Sequence, residues 1–86
     1  MNKEQIRHIE WKLEEISKYM DKVENRLDKA EAEGNAKKAR TMYHKLESLC
    51  SKIEGIEYVL NVMNYRISWE LTDAHDVPHI VEFKEM

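Results

Sequence analysis

Two histidines and two aspartates lie within seven residues near the C-terminal end of the chain: Asp73, His75, Asp76 and His79. Imidazole and carboxylate groups are the ligands that zinc and similar divalent ions bind in proteins. Their spacing matches no closed metal-site motif, and aspartate is an ordinary turn residue beside a proline, here Pro78. The sequence therefore favours a turn over a metal site, and we expect no cofactor.

Motifs on which common enzyme chemistry depends are missing from the sequence. Gly34 and Gly55 are its only glycines, so neither type of glycine-rich phosphate-binding loop is present. Cys50 has no identifiable base beside it, and a small packed side chain is the simpler interpretation. The inward Glu-x-x-His motif of di-iron helix bundles is absent too. We therefore predict a binding protein with no catalytic residues.

Apolar residues with helical spacing flank the turn Glu33-Gly34-Asn35 on both sides. Successive apolar residues are three and four positions apart, and residues whose numbers sum to 69 pair when the chain folds back, as Leu27 does with Met42. A seam this narrow is typical of a coiled coil. The pattern predicts a long antiparallel helical hairpin, with helices over residues 3–32 and 36–63. Asn2 and Asn35 are the expected N-caps, and Gly34 suits the left-handed end of the first helix.

Beyond Asn64 the periodicity changes to two, which is typical of a half-buried strand. Here Tyr65, Ile67, Trp69 and Leu71 alternate with polar residues. A loop over residues 72–78 and a second alternating segment complete a predicted β-hairpin over residues 65–84. Two strands alone are barely stable, so this hairpin must pack on the helices or on another chain. The alternative is that the second helix continues to Leu71. The expected fold is mainly α, with a small C-terminal β-hairpin.

Size and composition predict one small domain covering residues 1–86. A chain of this length buries only about 60 to 65% of its unfolded surface, so help from association is expected. The net charge of -3 provides no general attraction to nucleic acid. A single cysteine fits a reducing compartment, and no segment resembles a signal peptide or a membrane span. We expect a soluble, cytoplasmic protein.

Charged residues of the two helices are predicted to lie on different sides of the seam. With Ile6 and Ala39 at heptad position a, the acidic flank carries Glu10, Glu14, Asp21, Glu24, Asp28, Glu31, Glu47, Glu54 and Glu57. The basic flank carries Lys12, Lys22, Arg26, Lys29, Lys38, Lys45 and Lys52. Arg7 and Arg40 are exceptions on the acidic flank, and Glu15 interrupts the basic flank. Like charges across a seam are unfavourable, so this layout favours acidic-to-basic contact between protomers or binding of an anion. The alternative is an accidental arrangement on a solvated surface.

Aromatic and aliphatic residues outside the seam predict a further buried surface. Trp11 and Tyr58 both lie opposite the seam, at the same level of the hairpin, where an isolated hairpin leaves them in water. Either the C-terminal tail folds back over this end through Ile67, Trp69, Val81 and Phe83, or a partner chain covers it, and both arrangements can hold together. The predicted interface residues are Trp11, Tyr58, Val59, Val62, Trp69 and Phe83.

Three functions follow from these surfaces. The favoured one is a self-associating protein-interaction module, a dimer or a higher homo-oligomer, with a further protein partner possible. The second is sequestration of a small anionic or nucleotide-like ligand by Arg26, Lys29, Lys38 and Lys45. The third is nucleic-acid binding by the basic tip of the hairpin.

In its lysine, glutamate, asparagine and isoleucine content and its small size, the chain resembles short accessory proteins of low-GC bacteria and their phages. Small inhibitors of host or defence systems are common among such proteins. The resemblance rests on no motif, so it assigns no residue a role. It implies a binding protein and not an enzyme.

Overall fold

A computed structural model of the chain describes residues 1–83. It contains two helices followed by two strands: α1 (Lys3–Ala32), α2 (Ala36–Val62), β1 (Tyr65–Leu71) and β2 (Asp76–Glu82). The predicted fold class is confirmed, because a long antiparallel helical hairpin carries a small antiparallel β-hairpin at its C-terminal end. Lys84, the last residue of the predicted hairpin, lies outside the described residues. Within residues 1–83 no helix is long and apolar enough to cross a membrane.

Side-chain caps and left-handed residues fix the helix ends, which agree with the prediction except that α2 ends at Val62, one residue early. The Asn2 side chain accepts a hydrogen bond from the Gln5 amide at 2.8 Å, and the Gln5 side chain accepts one from the Asn2 amide at 3.0 Å. Asn35 caps α2 by accepting from the Lys38 amide at 3.2 Å. Gly34 adopts φ 71°, and Asn64, which follows α2, adopts φ 66°. These two residues reverse the chain at each end of α2, so the second helix does not continue into the tail as the alternative required.

The helices pack in the register that the apolar spacing predicts. Val23, Met42 and Leu49 form a buried cluster, against which Ile16, Met20, Leu27 and Leu46 pack. Three pairs within this group, Leu27 with Met42, Val23 with Leu46 and Met20 with Leu49, have numbers that sum to 69. Nearer the open end of the hairpin, Leu13 and Leu60 are completely or almost completely buried.

The β-hairpin packs on the helices of its own chain, with β2 on α1 and β1 on α2. Its connecting loop is shorter than predicted, because β2 begins at Asp76 and includes Pro78. The loop is closed by Thr72, whose side-chain hydroxyl bonds to both the carbonyl oxygen and the amide of His75. The expected loop over residues 72–78 is therefore wrong at its C-terminal end.

The pairing register decides which face of the β-hairpin contacts the helices. Ile67 pairs with Ile80 and Trp69 pairs with Pro78, and both Ile80 and Pro78 are buried. Val81 and Phe83 belong to the opposite face, and Phe83 is exposed. Folding of the tail over the helices is thus confirmed for Ile67 and Trp69. It is wrong for Val81 and Phe83, because successive side chains of a strand point to opposite faces.

Candidate interaction surfaces

Two glutamates of the acidic flank hold the β-hairpin against α1. The Glu10 Oε2 atom accepts a hydrogen bond from the backbone amide of Ile80 at 2.9 Å. The Glu14 Oε1 atom lies 2.7 Å from Nε2 of His75, the residue immediately before β2. Residues four apart lie on the same face of a helix, so both carboxylates point towards the β-hairpin. Part of the acidic flank therefore serves the fold of this chain.

Hydrogen bonding at Glu14 stabilises its ionised form. An ionised carboxylate only accepts hydrogen bonds, so His75 Nε2 carries the proton that is shared with Glu14. Lys18 adds a second favourable contact, with its Nζ atom 3.4 Å from the same carboxylate oxygen. The bond from His75, with the smaller contribution of Lys18, holds the pKa of Glu14 below its ordinary value of 4.5.

The four candidate metal ligands of the tail are divided between different surroundings. His75 contacts α1 as described above, whereas Nε2 of His79 lies 2.8 Å from Oε2 of Glu70 on the outer face of the β-hairpin. Asp73 and Asp76 are exposed. Within residues 1–83 no three histidine, cysteine, aspartate or glutamate side chains are placed to hold one metal ion.

A shallow groove runs between the helices on the basic flank and has a volume of about 560 Å³. Its apolar walls are formed by Met1, Ile9, Ile16, Ile56, Val59, Leu60 and Met63. Gly55 also lines the groove, and a methyl group at its Cβ position would meet nothing within 4 Å. Lys12 and Lys52 place positive charge beside the apolar walls. The groove is therefore an apolar surface with a basic border.

Most of the predicted interface residues are exposed in the single chain. Trp11, Tyr58, Val59, Val62 and Phe83 have exposed fractions between 49 and 71%. Trp69 is half-buried on the helix-facing side of the β-hairpin, beside Pro78. Packing of the tail on its own helices thus leaves five of the six residues accessible.

The candidate anion-binding residues Arg26, Lys29, Lys38 and Lys45 are all exposed near the turn of the helical hairpin. Among the described residues none of them forms a salt bridge. They form an open positive surface on the basic flank.

No known protein family, curated protein or solved structure matches this chain. The chain is a helical hairpin that carries a β-hairpin on its acidic flank and an apolar groove on its basic flank.

The sequence does not reveal that Glu10 and Glu14 hold the β-hairpin against α1. Their position on the acidic flank was evident from the heptad pattern. Their partners, Ile80 and His75, are more than 60 residues away, with separations of 70 and 61 in sequence. No local signal identifies such a contact.

Glu10→Ala tests the bond to the β2 edge. Removal of the carboxylate leaves the Ile80 amide without its partner, so we expect a loss of about 1–3 kcal/mol in the free energy of unfolding. Amide hydrogen exchange measured by NMR should become faster at Ile80 in particular. Glu24→Ala, at another residue of the same flank, is the matched control. Unchanged exchange at Ile80 in Glu10→Ala would contradict the contact.

The depressed pKa of Glu14 predicts a specific loss of stability in acid. A carboxylate with a lowered folded-state pKa stabilises the fold above its unfolded-state pKa, and this contribution disappears as the pH falls through the folded-state pKa. Glu14→Gln cannot show this change. We expect wild-type protein to lose more stability than Glu14→Gln below pH 4.5, measured by urea unfolding across pH. Parallel pH profiles for the two proteins would show that the hydrogen bond has no energetic effect.

Proposed function

We propose that this protein is a small cytoplasmic protein-interaction module that associates with a second copy of itself. The observation that carries the proposal is the balance between buried and exposed apolar residues. Seven hydrophobic residues form the buried core of the described chain, whereas nine large ones are exposed. A domain of this size has little stability to spare. Four of the nine exposed residues, Tyr58, Val59, Val62 and Met63, lie within six residues at the end of α2, which supports an interaction surface there.

Tyr58 is the favoured contact residue for the second copy. It lies on the outer side of α2, directly away from α1, and it is 71% exposed. Trp11 occupies the equivalent outer position on α1 but has contacts within its own chain. The Lys12 Nζ atom lies 4.9 Å from the centre of the Trp11 ring, and the His8 ring lies 6.1 Å from it. These contacts use part of the Trp11 surface, whereas Tyr58 has no described ring or cation contact.

Tyr58→Glu tests the proposed association. A charge at a residue buried between protomers is costly, so we expect the dissociation constant of the dimer to rise at least about tenfold. Sedimentation equilibrium over a range of protein concentrations measures this change, and circular dichroism shows whether the variant stays helical. Tyr43→Glu, at another exposed tyrosine of α2 that lies nearer the turn of the helical hairpin, is the control and should associate as wild type does. A wild-type protein that stays monomeric at every concentration would overturn the proposal.

The groove of the basic flank supports a second candidate function, which is binding of an amphipathic helix from another protein. A groove between two antiparallel helices fits a third helix, whose apolar face the groove walls cover. Lys12 and Lys52 favour acidic residues beside that face. They disfavour the groove of a second copy, which has the same positive border. Binding of such a helix is an activity expected of a small accessory or inhibitor protein.

A pair of designed helical peptides tests the groove. Both carry leucine along one face, and the residues beside that face are glutamate in one peptide and lysine in the other. We expect the glutamate peptide to bind at least about tenfold more tightly, measured by fluorescence anisotropy, and salt to reduce the difference. Val59→Glu should abolish binding, whereas Val62→Glu, outside the groove lining, should not. Equal affinity for the two peptides would contradict the role of the lysines.

A further inference from the structure

We propose that β1 pairs with β1 of a second copy through its free edge, in an antiparallel register centred on Ser68. The result is a four-stranded sheet that crosses the two-fold axis of a symmetric dimer. This inference rests on the proposed self-association and specifies the surface that carries it.

The hydrogen-bond pattern leaves one edge of β1 unpaired. The Phe83 amide donates to the Asn64 carbonyl at 2.7 Å, so these two residues form a hydrogen-bonded pair of the antiparallel ladder. Inward-pointing pairs then follow at alternate positions, Arg66 with Val81, Ser68 with His79 and Glu70 with Val77. The residues between them in β1 are Tyr65, Ile67, Trp69 and Leu71. Their backbone N–H and C=O groups point away from β2, and no described hydrogen bond engages them.

The outer edge of β2 is closed by two features of the same chain. Ile80 belongs to the outward-pointing positions of β2, and its amide is bonded to the Glu10 carboxylate at 2.9 Å. Pro78, two residues earlier, has no N–H group to offer. Natural sheets use prolines and covering side chains to prevent edge-to-edge pairing. This hairpin closes one edge in that way and leaves the β1 edge open.

When β1 pairs antiparallel with β1 of a second copy, the charges of the two strands are complementary. In an antiparallel pair centred on Ser68, Arg66 of each copy lies directly opposite Glu70 of the other. This register also pairs all seven residues of β1. A shift by two residues in either direction places Arg66 opposite Ser68 or Thr72, so both ion pairs are lost. Opposite charges directly across a strand pair are favourable, and side chains are closest at positions such as these, outside the hydrogen-bonded pairs.

The same register continues the apolar face of the sheet. Tyr65 of one copy lies opposite Leu71 of the other, and Ile67 lies opposite Trp69. Leu71 is the most exposed large hydrophobic residue described, at 80%, and the pairing gives it an apolar neighbour. Since β1 packs on α2, the two α2 helices also become neighbours beneath the sheet. The outer side of α2, which carries Tyr58, is then covered.

Charge reversal at Arg66 and Glu70 tests the strand pairing on the full chain. Arg66→Glu alone and Glu70→Arg alone each place two like-charge pairs in the homodimer. We expect each variant to raise the dimer dissociation constant at least about tenfold. In an equimolar mixture of the two variants, glutamates of one chain oppose arginines of the other at both positions. The mixture and the double variant Arg66→Glu/Glu70→Arg should both recover wild-type association.

Recovery of association distinguishes a lost strand pairing from damage to the fold of the single chain. Glu70 also bonds to His79 within its own hairpin, so weaker association of Glu70→Arg alone has two explanations. Mixing restores the dimer only when the two positions meet across the interface. Sedimentation equilibrium and native mass spectrometry measure the homodimers and the mixed dimer, and Arg40→Glu is the control for net charge.

The possible failures of the two proposals are distinguishable. If wild-type protein dimerises but the single reversals leave its dissociation constant unchanged, self-association stands and pairing through β1 is wrong. If the single variants dissociate and neither the mixture nor the double variant recovers, the Ser68-centred register is wrong. If wild-type protein is a monomer throughout, both proposals are overturned.

Discussion

Every later feature of this chain depends on the register between its two helices, which the turn at Gly34 fixes. Residues whose numbers sum to 69 lie at the same level, so Glu10 and Glu14 of α1 lie beside the last turns of α2. The chain leaves α2 through the left-handed residue Asn64 and returns along the helices as β1. Ile80 of β2 and His75, immediately before β2, then contact the two carboxylates. A shift of the helices by one heptad would move this end of α2 by about 10 Å relative to Glu10, and the contact with Ile80 would be lost.

The packing of the β-hairpin on α1 explains part of the segregation of charge between the acidic and basic flanks. Like charges along one side of a helical pair do not stabilise the pair, so the acidic flank is unfavourable for the two helices alone. Glu10 and Glu14 are exceptions, because each accepts a hydrogen bond from the β-hairpin. The lysines of the groove flank an apolar surface, where in the proposed helix-binding function their charge would select among partners. On the acidic flank, charge helps to attach the β-hairpin to α1.

Local sequence signals are sufficient to predict the two helices, but they are not sufficient to predict the position of β2 or the face that it buries. The caps at Asn2 and Asn35, the glycine of the turn and the apolar spacing all act within a few residues, and each was evident in the sequence. In β2, by contrast, Ile80 and Val81 are adjacent and apolar, so alternation alone does not decide which one faces the core. Pairing with Ile67 decides it. Pro78 resembled a loop residue because proline lacks an amide donor, but at an outward-pointing position of an edge strand no donor is needed. The contacts of Glu10 and Glu14 join distant segments and leave no mark in the local sequence.

The two edges of the β-hairpin differ in a way that the stability of a single chain does not require. Both Glu10 and Pro78 act at the β2 edge, where they remove or occupy the donors that another strand would use. Nothing described acts at the β1 edge, although β1 carries four outward-pointing residues and the most exposed leucine of the described chain. An open edge with apolar residues favours uncontrolled pairing unless its sequence selects one partner. In the proposed dimer, the arrangement of Arg66 and Glu70 about Ser68 supplies that selection for an identical strand, because other registers lose both ion pairs. On this proposal, protection of one edge and self-complementarity of the other act together, and they limit strand pairing to a closed dimer.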